Sequence, residues 1–324
     1  MTMRFSVDAD HHRQRLDVFL SETVEGLTRS QAKKRIEAGE VEVNGKNAAV
    51  HRFLNEGDVV ELGSAGQSSN KPAGSPREKT HPTNATTQRR SDAAKPLRIL
   101  AETPSWLVAF KPAGVLMHPT SKGETDTFID AVIAHAPEVA KVGEDPAEPG
   151  IVSRLDRDVS GLVVIAKTQD AYENLKRQFK TRKVDKTYLA LVYGDVPQNE
   201  GDLKFRIGRS STKARMAAMP KESSEGRAAW TNYTTIRRLN GAALLELHIL
   251  TGRSHQIRAH LFAFNHPVLG DPLYKPRSSK RNITAPRLML ESVALTFDDP
   301  DSGERKSFTI DPDPAFQEVV DVLK

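Results

Sequence analysis

The chain has 324 residues, of which 38% are hydrophobic, and its 47 basic and 42 acidic side chains give a net charge of +5. This length predicts two domains. The absence of cysteine excludes disulfides and thiolate metal sites and suits a reducing compartment. No apolar run approaches the ~18 residues of a membrane helix, and residues 1–10 lack the apolar core of a signal peptide. We therefore expect a cytoplasmic protein that makes no membrane contact.

Residues 1–62 predict a small domain of two helices and two strands. The second helix begins at a capping box formed by Thr28 and Gln31 and ends at Gly39, before a strand and an Asn-Gly hairpin turn. The pattern resembles the S4 RNA-binding motif, although a solvated helix with a basic face would also fit. The resemblance implies that structured RNA binds beside this helix, through its basic residues Arg29, Lys33, Lys34 and Arg35.

Residues 63–96 predict a disordered basic linker. The segment is rich in Ser, Gly, Pro, Asn and Thr and contains no Val, Ile, Leu, Phe, Tyr or Trp, so it cannot bury enough apolar surface to offset its chain entropy. It carries 6 basic and 2 acidic residues, whereas residues 1–62 carry 9 and 11 and residues 97–324 carry 32 and 29. An RNA partner must therefore be bound by local basic patches.

Residues 97–324 predict a second, larger domain. Strands are expected at 98–102, 106–110, 162–166, 184–193, 228–237 and 243–250, and helices at 127–135, 170–179 and 254–264. The basic segment 204–225 is expected to be a polar loop between strands. It either contacts RNA or is merely exposed, since charged runs are commonly solvated.

Residues 150–168 form the most informative stretch. Asp156 lies in a polar turn that leads into the apolar strand at 162–166, and a turn attached to a sheet holds a carboxylate in fixed geometry. Arg154 and Arg157 flank Asp156, and a nearby cation favours the ionised carboxylate. Such a group can act as a nucleophile or an electrostatic partner. A charged surface turn before a buried strand would have the same sequence.

Four motifs favour the first interpretation because they occur together and in order. They are Lys111-Pro112-Ala113-Gly114 with His118-Pro119, then Gly150 to Gly161, then Lys186 to Gly194, and finally Thr251 to Leu261 with His266 to Asp271. Over residues 97–310 the chain resembles the RluA-type pseudouridine synthases, which isomerise uridine in RNA. The resemblance implies an α+β fold with a mixed, mostly antiparallel sheet and helices packed on it.

The resemblance also assigns roles to individual residues. It implies that Asp156 is the catalytic carboxylate, that Tyr188 stacks on the flipped target base, and that Arg258 pairs with the aspartate. Arg258 lies off the apolar Ile257–Leu261 stripe of its predicted helix, so it can point into a cleft. Ile257 or Leu290 is expected to line the base pocket. Further RNA contacts are expected from Arg154, Lys186, Arg253, His255 and Arg215.

Isomerisation exchanges no group with solvent, so no cofactor is expected, and the chain has no phosphate-binding Gly-rich loop. His255 and His260 are five residues apart and do not share a helical face, so no metal site is predicted. The expected partner is large-subunit, 23S-type ribosomal RNA or its precursor, bound by a monomer.

One position departs from the family pattern, because Ser153 replaces the usual histidine before Arg-Leu-Asp. The serine either hydrogen-bonds the loop as the imidazole would or leaves it less rigid. A non-catalytic RNA-binding assembly factor with the same fold is therefore an alternative. A glycoside hydrolase using Asp156 and Asp158 is disfavoured, because carboxyl groups two residues apart seldom bracket a bond at the ~5–9.5 Å such enzymes need.

Overall fold

The computed structural model describes residues 2–12, 14–48, 52–63, 97–120, 124–210, 212–213, 215–276 and 283–324. The chain divides into two compact units, Met1–Arg90 and Ser91–Lys324. The linker predicted at 63–96 lies, apart from Gly63, outside the described residues. No helix in the described part of the chain is both long and apolar enough to cross a membrane.

The first unit combines a four-stranded antiparallel sheet with two helices. Its elements are β1 (Met3–Ser6), a 3-10 helix (Ala9–His11), α1 (Leu16–Thr23), α2 (Arg29–Glu37), β2 (Val41–Val43), β3 (Lys46–Asn47) and β4 (Val59–Leu62), with strand order β1-β4-β2-β3. The predicted capping box is present: Gln31 N donates to Thr28 Oγ1 at 3.3 Å, and Thr28 N donates to Gln31 Oε1 at 2.9 Å. Strand β1 was not predicted, because its largely exposed residues show no clear alternation.

The second unit holds the other elements. They are β5 (Arg98–Glu102), β6 (Trp106–Lys111), α3 (Phe128–His135), a 3-10 helix (Pro137–Lys141), β7 (Ser160–Ala166), α4 (Gln169–Lys180), β8 (Asp185–Tyr193), β9 (Glu200–Leu203), β10 (Arg206–Arg209), β11 (Met216–Met219), β12 (Arg227–Ala228), β13 (Thr231–Leu239), β14 (Ala242–Ile249), α5 (Gln256–Ala263), β15 (Leu290–Asp298), β16 (Arg305–Thr309) and α6 (Pro314–Val322).

A nine-stranded sheet organises this unit, in the order β5-β6-β7-β15-β8-β14-β13-β9 with β16 paired to β15. Among the described strands, β7 and β15 pair in parallel and the other pairs of this sheet are antiparallel. Val163 and Ile165 of β7 join one core, whereas Leu162 and Val164 join the core on the opposite face. Because both faces of β7 are buried, its sequence is continuously apolar. The predicted α+β class is confirmed.

The segment predicted as a loop at 204–225 was assigned wrongly. It contains β10 and β11, which form a small antiparallel sheet with β12 in the order β11-β10-β12. The side chain of Ile207 is buried beside Ala229, Ala259 and Tyr274, and this contact fixes the hairpin to the main body. Ile207 is the buried apolar side chain of the two strands, and Met216 and Ala218 pack against the same cluster, but the charged residues around them leave the segment without a clear apolar periodicity.

Candidate active site

Asp156 lies in a tight turn that leads into β7. Val159 N donates to the carbonyl oxygen of Asp156 at 3.1 Å, and the side chains of Leu155 and Val159 are buried in the core on either side of it. The Asp156 side chain is 22% exposed and lines a cleft of about 890 Å³. That volume is in the range of small-ligand sites, and it is large enough for a single nucleotide rather than a duplex.

Lys111 ties this turn to the loop that follows β6. Its buried Nζ donates to the carbonyl oxygens of Pro112 and Val115, both at 2.8 Å, and of Arg157 at 3.0 Å. Gly114 N also donates to Arg157 O, at 2.9 Å. Burial lowers the pKa of Lys111 to about 7, against the opposing charges of Asp158 and Asp156. The backbone on the C-terminal side of Asp156 is thereby held at several points.

Arg258 is the cation that contacts Asp156. Its Nη1 donates to Asp156 Oδ2 at 3.0 Å, while Nε and Nη2 donate to Asp271 at 2.7 and 2.9 Å. The Arg258 side chain is only 3% exposed, and that of Asp271 is fully buried. Burial disfavours the guanidinium charge, but the hydrogen bonds and charges of Asp271, and then of Asp156, outweigh it and raise the pKa of Arg258.

Tyr188 is brought to the cleft by strand register. It lies opposite Ser292 of β15, and Ser292 lies opposite Gly161 of β7, five residues after Asp156. The Tyr188 side chain is buried and lines the cleft, as do Ile257 and Leu290. The Nζ of Lys186 lies 5.3 Å from the Tyr188 ring centroid. An aromatic ring, aliphatic walls and a carboxylate therefore meet in one cavity.

His255 and Tyr274 lie beside the same carboxylate. His255 Nε2 is 4.0 Å from Asp156 Oδ2, and the His255 Nδ1 and Tyr274 hydroxyl are 3.2 Å apart. Tyr274 donates from its hydroxyl to Met216 O at 2.8 Å, and its ring lies 5.3 Å from the Arg258 guanidinium carbon. Burial lowers the pKa of His255, against the attraction of Asp156. The neutral form of His255 is thus favoured, although His255 lies next to Asp156, which is paired with Arg258.

Gln256 fixes the loop before α5. Its Oε1 accepts from Thr251 Oγ1 at 2.7 Å and from Arg253 N at 3.1 Å, and its Nε2 donates to Trp230 O and Thr231 Oγ1, both at 3.0 Å. The buried amide thereby uses both donors and both acceptor positions. These four hydrogen bonds of Gln256 fix the Thr251–Arg258 segment, which lines the cleft.

Comparison with known proteins places this site in a family. A profile described as RNA pseudouridylate synthase matches residues 105–263, and one described as the S4 domain matches residues 14–60. A Synechocystis protein named as an uncharacterized RNA pseudouridine synthase is 34% identical over 296 residues, which cover 90% of this chain and 83% of that protein. The chain belongs to the RluA-type RNA pseudouridine synthases.

Two further likenesses support the family assignment. The Nitrosomonas europaea protein named ribosomal large subunit pseudouridine synthase D is 32% identical, across 90% of this chain and 78% of its own length. A solved structure, human RNA pseudouridylate synthase domain containing 1, is 28% identical with a TM-score of 0.54, covering 68% of this chain and 85% of its own. The resemblance found in the motifs is therefore confirmed, as is the S4 domain.

Arg154 and Arg157, which flank Asp156 in the sequence, contact other groups, and Asp156 pairs with Arg258 as predicted. Arg154 Nη1 donates to Glu148 Oε1 at 3.0 Å, and Arg157 Nε lies 3.3 Å from Gly114 O. Residues that flank a tight turn point away from its apex, so the partner comes from α5, about 100 positions further along the chain. Arg154 instead lies at the edge of the cleft, and its Nη1 is 3.4 Å from His118 Nε2.

The other basic residues expected to meet RNA occupy different environments. Lys186 is buried against Tyr188, and Arg253 is half-buried at the cleft wall. The Arg215 guanidinium carbon lies 4.5 and 4.6 Å from the ring centroids of Phe262 and Tyr274, and its Nη1 donates to Leu273 O at 2.5 Å. Arg215 therefore packs within the protein as well as bordering the hairpin.

In the S4 unit the predicted basic helix is present, but its residues differ in availability. Lys34 is exposed and Lys33 is half-buried, whereas Arg35 donates from Nε to Glu40 Oε2 at 2.8 Å and from Nη2 to Gly63 O. The side chain of Arg29 lies outside the described residues. Arg35 thus helps to close its own domain, since it joins the end of α2 to the residue after β4.

Ser153 does not take over the hydrogen bonding expected of a histidine. Its Oγ is buried, and no hydrogen-bond partner for it occurs among the described residues. The loop is held by Lys111 and Arg258 instead. Within the described part of the chain, no group of three or more His, Cys, Asp or Glu could hold a metal ion.

Proposed function

We propose that this protein isomerises specific uridines of large-subunit ribosomal RNA to pseudouridine in the cytoplasm, with Asp156 as the catalytic carboxylate. The observation that carries the proposal is that Asp156, paired to Arg258 at 3.0 Å, and Tyr188 line one cavity. The family relation supports the reaction class. The name of the Nitrosomonas europaea relative, a ribosomal large subunit synthase, supports the choice of RNA.

The chemistry requires one base to leave the stack. The bond between C1′ of the ribose and N1 of uracil breaks, the base turns, and C1′ bonds to C5, while the C5 proton is lost and N1 gains one. A carboxylate close to C1′ can attack it or stabilise its positive charge when the first bond breaks. Tyr188 holds the free base by its ring face, which tolerates rotation of the base.

Arg258 and the turn contacts prepare Asp156 for this role. The guanidinium donates to Oδ2 of the carboxylate and fixes that oxygen, so the other oxygen can face the ribose. The hydrogen bonds from Lys111 to the neighbouring loop carbonyls limit movement of the turn. A reactive group that is held before the substrate arrives loses little entropy on reaction.

The S4 unit supports binding to a large, structured RNA. A basic helix binds the phosphate backbone without reading sequence, so it adds affinity while the cleft selects the nucleotide. We assign this role to Arg29, Lys33 and Lys34. The cleft-side contacts to RNA are assigned to Arg154, Lys186, Arg253, His255 and Arg215, with Arg215 acting from the hairpin.

The deciding experiment maps pseudouridine in large-subunit ribosomal RNA from a strain that lacks the protein. At least one site should lose its modification, and wild-type protein should restore it. Asp156→Asn should fail to restore it, whereas Asp158→Asn, a change of the same kind two residues away, should succeed. Asparagine keeps the volume of aspartate, so folding of both variants should survive.

Two results would overturn the proposal. Full modification of ribosomal RNA in the deleted strain, combined with a defect in large-subunit assembly, would favour the non-catalytic assembly factor. Restoration by Asp156→Asn would show that another group carries the reaction.

A further inference from the structure

Three arginines from separate parts of the chain lie on, or directly next to, one wall of the cleft. Arg182 follows α4, Arg227 lies in β12, and Arg253 precedes α5. Arg182 and Arg253 both line the cleft. Arg253 Nε lies 3.4 Å from the carbonyl oxygen of Ala228, the residue next to Arg227, so the third arginine is adjacent to the second.

Among the described residues, no acidic side chain lies within 4.0 Å of the guanidinium groups of Arg182, Arg227 or Arg253. Arg154 and Arg258 line the same cleft, but Arg154 pairs with Glu148 and Arg258 pairs with Asp156 and Asp271. Burial, followed by repulsion from Arg227 and then Arg182, lowers the pKa of Arg253. Like charges held close together without a counterion make a site that favours an anion.

The backbone at Arg182 is also unusual. Helix α4 ends at Lys180, Thr181 is its C-cap, and Arg182 takes φ +60°, the left-handed conformation in which glycine is strongly preferred after a helix. Its amide donates to Phe179 O at 3.3 Å, and Lys183 N donates to Gln178 O at 2.9 Å. An arginine in this position costs stability that glycine would not, and strained residues cluster at functional sites.

The position of the group relative to Asp156 identifies its ligand. Arg253 is two residues from His255, whose Nε2 is 4.0 Å from Asp156 Oδ2. A nucleotide whose ribose meets Asp156 has phosphates on either side of that ribose, and the guanidinium groups of Arg182 and Arg253 line the same cleft. Arginine suits this task because its planar donors match phosphate oxygens in pairs.

We infer that Arg182, Arg227 and Arg253 form one phosphate-binding site, which holds a phosphodiester of the RNA backbone next to the flipped uridine. The inference rests on the proposed function for the identity of the RNA. It goes further in assigning a single anion site to three residues, two of which no sequence motif indicated. Because the arginines hold the adjacent phosphate, the target nucleotide can leave the base stack while the RNA backbone stays bound to the enzyme.

The test uses the full-length chain and a fluorescently labelled single-stranded oligouridylate. The logarithm of the dissociation constant is measured against the logarithm of salt concentration, between about 50 and 200 mM, where each phosphate contact contributes about 0.7 to the slope for single strands. The double variant Arg182→Gln with Arg227→Gln should lower the slope by about 0.7, and each single variant by less.

Arg237→Gln is the matched control. Arg237 is exposed on β13, six residues and so roughly 20 Å along the strand from Thr231, and it is not among the described residues that line the cleft. It should leave the slope unchanged. A double variant that behaves like this control would overturn the inference, and so would a loss of about 1.4, which would mean two independent phosphates.

Arg182→Gly separates a binding role from a structural one. If Arg182 is kept for the phosphate, glycine should weaken oligouridylate binding and raise the denaturant midpoint of unfolding, because it relieves the left-handed strain. A lowered midpoint with unchanged binding would contradict the inference. Pseudouridine formation by the wild-type protein is measured in parallel. Its absence would defeat the proposed function and leave the phosphate site to be judged by the slopes alone.

Discussion

Asp271 accepts hydrogen bonds from both Nε and Nη2 of Arg258, at 2.7 and 2.9 Å, and so leaves Nη1 to reach Asp156 at 3.0 Å. Asp271 also accepts from Leu273 N at 2.8 Å and Tyr274 N at 3.1 Å, through Oδ1. The fully buried carboxylate thereby sets the plane of the guanidinium before any RNA binds. Asp271 and Asp156 both pair with Arg258, and the buried Asp271 orients the guanidinium toward Asp156.

Arg258→Lys should therefore lose much of the rate of uridine isomerisation. A lysine ammonium is a compact charge that cannot span Asp271 and Asp156 in the fixed geometry of the fork. The loss should reach at most the ~3–5 kcal/mol that follows when a buried pair is broken. Single-turnover measurements at saturating RNA should show the loss, while RNA affinity changes little.

Arg253→Lys is the comparison for this prediction, because Arg253 touches neither carboxylate. It should weaken RNA binding and leave the single-turnover rate nearly intact. The reverse pattern, with Arg258→Lys active and Arg253→Lys inactive, would show that the partner of Asp156 has been misassigned.

Much of this site could be predicted from the sequence, because its residues lie in short ordered motifs. The apolar run of β7, the position of Asp156 and the helical placement of Arg258 all follow from local pattern. Tyr188 was also indicated by its motif. These features depend on nearest neighbours along the chain, which a sequence shows directly.

Other parts depend on contacts that no local pattern reveals. Asp271 was part of a motif, but its role depends on the fold bringing its carboxylate to α5. Arg154 and Arg157 flank Asp156 in sequence, but their contacts with Glu148 and Gly114 could not be read from that proximity. The β10–β11 hairpin was missed since only Ile207 anchors it firmly. Tertiary packing decides each of these cases.

Removing residues 1–62 should raise the dissociation constant for ribosomal RNA more than it lowers the rate at saturating RNA. A tethered second site acts through effective concentration, so losing it weakens binding without altering the cleft. In the full-length chain, Lys34→Gln should weaken binding in the same direction. Lys46→Gln, which removes another exposed lysine from the same unit, should have little effect. Equal affinities for the deleted and complete proteins would contradict an RNA-binding role for the S4 unit.

Gly161→Ala should destabilise the second unit. Gly161 has φ +124°, and a Cβ there would lie 2.2 Å from Ser292 O and 2.5 Å from Ser292 N across the parallel β7–β15 pair. Overpacking and backbone strain each cost roughly 1–3 kcal/mol, so we expect a loss of about 2–6 kcal/mol in the free energy of unfolding.

Urea unfolding followed by tryptophan fluorescence measures this loss, since both tryptophans, Trp106 and Trp230, lie in the second unit. Gly303→Ala is the control that separates the cost of the left-handed backbone from the cost of the steric clash with Ser292. Gly303 has φ +74° but nothing within 4 Å of a Cβ, so its loss should be only about 1 kcal/mol. Similar losses at both glycines would mean that the close approach to Ser292 is not what limits position 161.

His260 should make the second unit sensitive to mild acid. It is completely buried on α5, its Nδ1 lies 3.0 Å from Thr231 Oγ1, and burial lowers its pKa to about 4, against an opposing backbone contact with Phe205. Between about pH 4 and 6.5 the unfolded chain binds a proton at this residue that the folded chain does not. The stability from neutral His260 is therefore fully present above pH 6.5 and is lost as the pH falls toward 4.

At about 1.4 kcal/mol per pH unit, this single group should remove about 2 kcal/mol of unfolding free energy between pH 6.5 and 5. The measurement compares wild type with His260→Gln, which keeps a polar group near Thr231 but does not titrate. His255, whose pKa is also lowered by burial, is present in both proteins, so its contribution cancels in the difference. Wild type should lose stability more steeply than the variant over this range. Parallel curves would mean that His260 gains its proton as easily in the folded protein as in the unfolded chain, contrary to its burial beside Phe205.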